Sequence, residues 1–149
     1  MREDYIETIM THMLTLLPVM NKRFLREDEV FKAEDLYPSH VQILHILARR
    51  RQMTMSEISR EIHVINSNLT PLVDKLIKLG YLKRQPSKND RRVVHISLTA
   101  SGKRMVERHK QYVSELLRER FETLEDERLE ALMNHIVGMN EIIEECMET

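Results

Sequence analysis

The sequence predicts a mainly α-helical protein with a small β-ribbon, built as a winged helix-turn-helix between two outer helical elements. Three observations carry this reading. There are only 3 glycines and 4 prolines in 149 residues, which favours long helices over a turn-rich β architecture. The stretch "TMSEISREIHVINSNLTPLVDKLIKLG" holds two apolar-periodic segments joined by a very short turn. After it, "YLKRQ" and "VVHISL" alternate on either side of a polar loop, as the strands of a ribbon do.

Taken in order, residues 5–25 carry Tyr5, Ile6, Ile9, Met10, Met13, Leu17, Met20 and Phe24 at helical spacing. Pro18 is expected to interrupt that helix with a kink. The acidic stretch "REDEVFKAED" (26–35) reads as a connection. "PSHVQILHILAR" (38–49) reads as a second helix with Pro38 near its first turn. "TMSEISREI" (54–62) opens with Thr54-x-x-Glu57, a capping-box pattern, and turns Ile58 and Ile62 inward. His63, Val64 and Ile65 lead into the next helix, where Leu69, Leu72, Val73, Leu76 and Leu79 form the apolar stripe. Gly80 stands where a left-handed residue is needed to end it. The ribbon places Val94, Ile96 and Leu98 on one side. Between its strands lies "PSKNDRR" (86–92), without an apolar anchor. Thr99 caps a long C-terminal helical segment with a stripe through Met105, Tyr112, Leu116, Leu124, Leu129, Leu132, Met133, Ile136 and Ile143. The break near "FETLEDE" divides that segment into two helices.

Three parts follow. Residues 1–35 are an N-terminal dimerisation helix and linker, 36–99 a winged helix-turn-helix DNA-binding domain, and 100–149 C-terminal dimerisation helices. The outer stripes are too rich for surface helices and too long for the middle module to need, so a homodimer is their economical use.

Charge supports a polyanion partner. Residues 38–104 hold 13 Lys/Arg against 4 Asp/Glu, and the rest of the chain holds 10 against 20. The net charge of −1 therefore conceals a basic block between acidic flanks. No apolar run approaches the ~18 residues of a membrane span, and "MREDYIETIM" has no signal-peptide pattern. The one cysteine, Cys146, excludes an internal disulfide framework. A cytoplasmic protein is expected. No glycine-rich phosphate loop, GxSxG or paired-carboxylate signature points to an enzyme. The seven histidines show no HExxH or His-x₃-His spacing, so neither metal nor cofactor is expected.

"PSHVQILHIL", "TMSEISREI", "NSNLTPLVDKLIKLGYLKR" and "NDRRVVHISLTASG", in that order and spacing, resemble the MarR family of bacterial transcriptional regulators. The resemblance covers residues 36–104 closely and the outer helices by architecture. Asp90-Arg91-Arg92 followed by "LTASG" is its most specific part. It implies a homodimer that binds pseudo-palindromic operators, commonly as a repressor, and responds to a small phenolic or lipophilic effector. By position, Asn66 to Lys78 would be the recognition helix and 86–92 the wing tip. Asp90 and Arg92 would form the family's wing salt bridge, with an arginine entering the minor groove. Two departures stand out. Tyr37-Pro38 replaces the frequent Thr-Pro before the second helix. Cys146 is far from the N-terminal cysteine of the peroxide-sensing branch.

The candidate DNA-binding residues are Ser56, Asn66, Ser67, Asn68, Thr70, Pro71, Lys75, Lys88, Asp90, Arg91 and Arg92. With Ser67 or Asn68 as helix cap, Pro71 would fall in or beside the first turn, where free amides need no partner. Such an end suits phosphates and base edges. Asn and Lys side chains match adenine and guanine edges, and Ser and Thr suit base or phosphate. Asp74 is expected to pair with Lys78 at i+4. Arg91 or Arg92 suits a narrow minor groove. Met13, Met20 and Tyr37 are the candidate effector site, because methionines fill irregular cavities. The rival readings are a metal- or redox-responsive regulator, and a winged-helix module that binds protein.

Overall fold

The computed structural model describes residues 1–24 and 28–147. The chain forms two compact units, residues 1–113 and 114–149.

In the first unit, α1 (Arg2–Phe24) runs unbroken through Pro18, where the sequence pattern expects an interruption. Every residue from 1 to 20 is exposed. The stripe over these residues therefore has no cover among the described residues: Tyr5, Ile6 and Ile9 are 62%, 58% and 57% exposed, and the Phe24 side chain lies outside what is described. The expected connection contains a one-turn helix, α2 (Glu29–Ala33), capped by Asp28, whose side chain accepts from the Val30 and Phe31 amides. Phe31 is fully buried. Residues 26 and 27 of the expected connection lie outside the described residues.

α3 (Pro38–Arg50) begins at Pro38, and the Tyr37 N–H donates to His40 Nδ1 at 3.0 Å. The ring of His40 thus accepts the N–H of the cap residue itself. Val41, Ile43, Leu44, Ile46 and Leu47 enter the core. A short strand, β1 (Gln52–Thr54), follows; the expected two-stranded ribbon is a three-stranded sheet. In α4 (Met55–Glu61) the anticipated capping box forms, with the Thr54 N–H on Glu57 Oε2 at 2.7 Å and the Glu57 N–H on Thr54 Oγ1 at 3.2 Å. The turn through His63, at φ 53°, leads to α5 (Asn66–Lys78). Gly80 ends α5 at φ 80°, as its position requires.

β2 (Leu82–Pro86) and β3 (Val94–Leu98) pair antiparallel, with β3 in the centre of the order β1-β3-β2. Met53 pairs with Ile96, and Arg84 lies opposite the same residue on the other side. Ile58, Leu69, Val73, Leu76 and Ile96, all fully buried, join the α3 residues in one core. Burial of each such side chain stabilises the fold by about 1.5–3 kcal/mol. α6 (Ala100–Phe121) starts where Thr99 Oγ1 accepts from the Gly102 N–H at 3.0 Å, so Thr99 is the cap that its position predicts.

In residues 114–149 the break falls as expected: α6 ends at Phe121 and α7 runs Asp126–Met147. Met133, Ile136, Ile142 and Ile143 remain exposed. No described helix is long and apolar enough to cross a membrane.

Candidate nucleic-acid interface

α5 begins earlier than its polar residues suggest. Its cap is Ile65, in extended geometry and without a side-chain hydrogen bond, not Ser67 or Asn68. The Ile65 carbonyl accepts from the Asn68 and Leu69 amides, both at 3.0 Å. The tight turn places that carbonyl correctly, so a polar cap is not needed to set the start. Asn66 and Ser67 occupy the first turn, where amides have no intrahelical acceptor. Pro71 consequently lies inside the helix. It cannot donate to the Ser67 carbonyl, and the fold tolerates this because both residues face solvent. Asn66, Ser67, Asn68, Thr70 and Pro71 are all exposed. The Thr70 hydroxyl donates back to the Asn66 carbonyl at 2.9 Å. Ser56 is exposed at the front of α4, the other helix of the pair.

The rear of α5 is different. Asp74 does not pair with Lys78; Arg84 Nη2 of β2 donates to Asp74 Oδ1 at 2.5 Å. β2 runs beside α5, and a guanidinium reaching across it makes a closer partner than a lysine one turn along. Lys75 also points away from the helix front. Its Nζ lies 3.0 Å from Asp35 Oδ2, bonds the Asp35 carbonyl, and sits 5.8 Å from the Tyr37 ring centre. The hydrogen bond from Lys75 is the largest influence holding the Asp35 carboxyl below its ordinary pKa. Asp35 takes a left-handed backbone, φ 53°, a conformation that short polar side chains tolerate. Lys75 is therefore not grouped with Asn68 and Thr70.

The wing tip between β2 and β3 is closed by main-chain bonds. The Ser87 N–H donates to the Val93 carbonyl at 2.7 Å, and the Val93 N–H to the Asp90 carbonyl at 3.0 Å. Asp90 Oδ1 accepts the Arg92 main-chain N–H at 3.0 Å. The expected Asp90–Arg92 salt bridge is thus replaced by a turn in which the carboxylate holds the backbone of Arg92 and leaves its guanidinium outside. Lys88, Arg91 and Arg92 are exposed. Among the described residues their charged groups have no ion-pair partner.

Met13 and Met20 are 39% and 42% exposed on α1, and Tyr37 is 55% exposed. None of the three is among the residues that line four clefts of 350 to 590 Å³ within residues 1–113. Tyr37 stacks on His40, with ring centres 5.8 Å apart. No group of three or more His, Cys, Asp or Glu side chains able to hold a metal ion occurs among the described residues. Cys146 is exposed. The sequence reading missed Asp35 and Arg84, which fix the rear of α5. The only local hint was an aspartate just before an apolar helix start.

A helix-turn-helix with an open polar helix front and a cationic two-stranded wing is the architecture of a DNA-binding transcriptional regulator. The MarR family model matches residues 36–94, and the chain belongs to that family. The HTH-type transcriptional regulator PecS of Dickeya dadantii is 34% identical over 116 residues, covering 73% of this chain and 69% of that protein. The HTH-type transcriptional regulator PapX of Escherichia coli is 36% identical over 101 residues, covering 65% of this chain and 62% of PapX. A structure of mutant MarR from E. coli complexed with operator DNA superimposes with a TM-score of 0.63 at 22% identity, over 87% of this chain and 91% of that one. That likeness is one of fold.

Proposed function

We propose that this protein is a repressor that binds pseudo-palindromic operator DNA as a homodimer, with α5 in the major groove and the wing in the minor groove. The observation that carries the proposal is the pairing of two open surfaces on one module. One is the exposed front of α5, Asn66, Ser67, Asn68, Thr70 and Pro71, and the other is the cations Lys88, Arg91 and Arg92, which have no ion-pair partner among the described residues. The E. coli operator complex of the same fold supports the reading. The uncovered apolar residues of α1 and α7 support a second copy of the chain as partner, with residues 1–35 and 100–149 as the dimerising parts. A small lipophilic or phenolic effector at Met13, Met20 and Tyr37 belongs to the same proposal. These residues are exposed in one chain, so an enclosed pocket there requires the second copy.

A symmetric dimer places its half-sites about one helical turn apart, ~10 bp centre to centre. Selection from random duplexes should therefore return two-fold sites. Replacing Arg91 and Arg92 by Ala removes up to four cations per dimer. The slope of log affinity against log salt should then flatten by roughly 3 to 4, at about 0.9 per phosphate neutralised. A monomer at micromolar concentration, or an unchanged slope, would contradict the proposal.

A further inference from the structure

Residues 1–113 contain a cleft of about 590 Å³ between the end of α3, the sheet and the early turns of α6. Four cations line it: Arg51 just after α3, Lys83 on β2, and Lys103 and Lys110 on α6. Among the described residues none of their charged groups has a hydrogen-bond or ion-pair partner. One carboxylate, Glu107, shares the lining and accepts from Gln111 Nε2 at 3.5 Å. The cleft thus carries a clear excess of positive charge, while Leu47, Leu98 and Val106 provide an apolar floor.

The cleft lies away from the surface assigned to DNA. Side chains alternate along a strand. On β2, Leu82 is buried and Arg84 reaches Asp74 of α5. Lys83, between them, points to the other face, beside its register partner Ser97. No residue of α4, α5 or the wing tip lines the cleft.

Arg51 adds an independent observation. Its backbone sits at φ 66° and ψ −53°, a region that suits glycine and strains any other residue. Glycine would close α3 here without strain, yet the position holds an arginine whose side chain faces the cleft. Backbone strain of this kind clusters at functional sites. An arginine fork with three lysine ammonium groups matches a dianionic tetrahedral group, and the floor matches a compact apolar body. The volume suits a small molecule.

We propose that this cleft binds a small organic phosphate, at a site separate from both the α5–wing surface and the Met13–Met20–Tyr37 region. The inference stands apart from the operator-binding reading, since it is tested without DNA. The probe is phenyl phosphate, titrated into the full chain by calorimetry at fixed ionic strength, with inorganic phosphate and phenol as comparators. One saturable site per chain is expected, binding phenyl phosphate more tightly than either comparator. The double variant Lys83→Ala/Lys103→Ala should weaken it at least tenfold, whereas Lys32→Ala, an exposed cation of α2, should leave it unchanged. Arg51→Gly separates binding from folding: the melting temperature should hold or rise while affinity falls at least tenfold. Equal affinity for phenyl phosphate and inorganic phosphate would overturn the proposal, as would equal weakening by Lys32→Ala or full affinity in Arg51→Gly. If Lys83→Ala/Lys103→Ala instead leaves phenyl phosphate affinity intact, the cations of the cleft do not hold the ligand and the proposal is wrong.

Discussion

Replacing Asp28 by Asn should be among the most costly single polar changes in the protein. Asp28 is 1% exposed. Its Oδ1 accepts from the Val30 N–H at 3.0 Å and from Arg108 Nη1 and Nη2, both at 3.2 Å. Oδ2 faces Arg108 Nη2 at 3.3 Å and His109 Nδ1 at 3.4 Å. One carboxylate therefore caps α2 and joins it to α6. Asparagine has the same size and can keep the cap through its carbonyl. Its NH₂ would then meet the Arg108 and His109 donors. Hydrogen bonds to charged groups are worth about 1.5–3 kcal/mol each. The Arg108 side chain is 37% exposed, so water recovers part of that loss. A net cost of roughly 2–3 kcal/mol follows, or about 4–12 °C in melting temperature at the scale for a chain of this size. Asp28→Ala adds the lost cap, ~1 kcal/mol.

Thermal denaturation across pH, at fixed protein concentration, tests both magnitude and cause. Burial pushes the Asp28 carboxyl up, but the hydrogen bonds from Arg108 and His109 and the Arg108 charge outweigh it and hold the pKa below its ordinary value. A depressed carboxylate stabilises the fold above its unfolded pKa, about 3.9, and that contribution disappears as pH falls through the folded value. The gap between wild type and Asp28→Asn should be full at pH 7 and should close below about pH 4. A gap that is independent of pH, or an asparagine variant as stable as wild type at pH 7, would refute the reasoning.

Three further outcomes are expected. Asn68→Ala should alter base preference at its own position by roughly 1–3 kcal/mol, while Lys75→Ala should weaken all sequences alike, because Asp35 holds its ammonium; parallel operator selections check both. Gly102→Ala should destabilise by about 1–3 kcal/mol or more, since a Cβ there would lie 2.1 Å from the Tyr81 carbonyl oxygen; urea denaturation measures it. Stability should also fall as pH drops below about 6.5, because burial first of all lowers the pKa of His40, His45 and His109. The unfolded chain then binds more protons than the fold, and a melting curve that is flat between pH 7.5 and 5 would exclude this.

What was legible in the sequence was local. The Thr54–Glu57 box, the Gly80 stop and the Thr99 cap each rest on residues within three positions of one another, and each is present. What was illegible joins distant residues. β1 has three residues, too few to show alternation, and its partner strand begins only at Val94. The charges of "REDEVFKAED" hid a helix whose one aromatic side chain, Phe31, is buried and whose cap, Asp28, reaches to Arg108. The start of α5 misled for a different reason. Residue preference favours Ser or Asn as cap, but the turn after α4 puts the Ile65 carbonyl in place first, so packing overrode propensity.

That displacement changes how the polar face of α5 divides. Asn66, Ser67, Asn68, Thr70 and Pro71 are exposed, with Leu69 alone of this stretch turned into the core, and the first-turn amides have no acceptor within the helix. Further along, Asp74 and Lys75 are engaged with other elements, Asp74 with Arg84 and Lys75 with Asp35. Exposed pairs like these contribute at most about 1 kcal/mol each, too little to account for the fold. Their geometric effect is larger. One tie runs to β2, which leads into the wing, and the other to the residues between α2 and α3. A helix held at its rear on two sides presents its front at a defined angle, so ordering cost on binding is reduced. Under the proposed operator-binding role, sequence reading by α5 would be confined to its first two turns, whose orientation is tied to Asp35 and Arg84, two residues outside the helix itself.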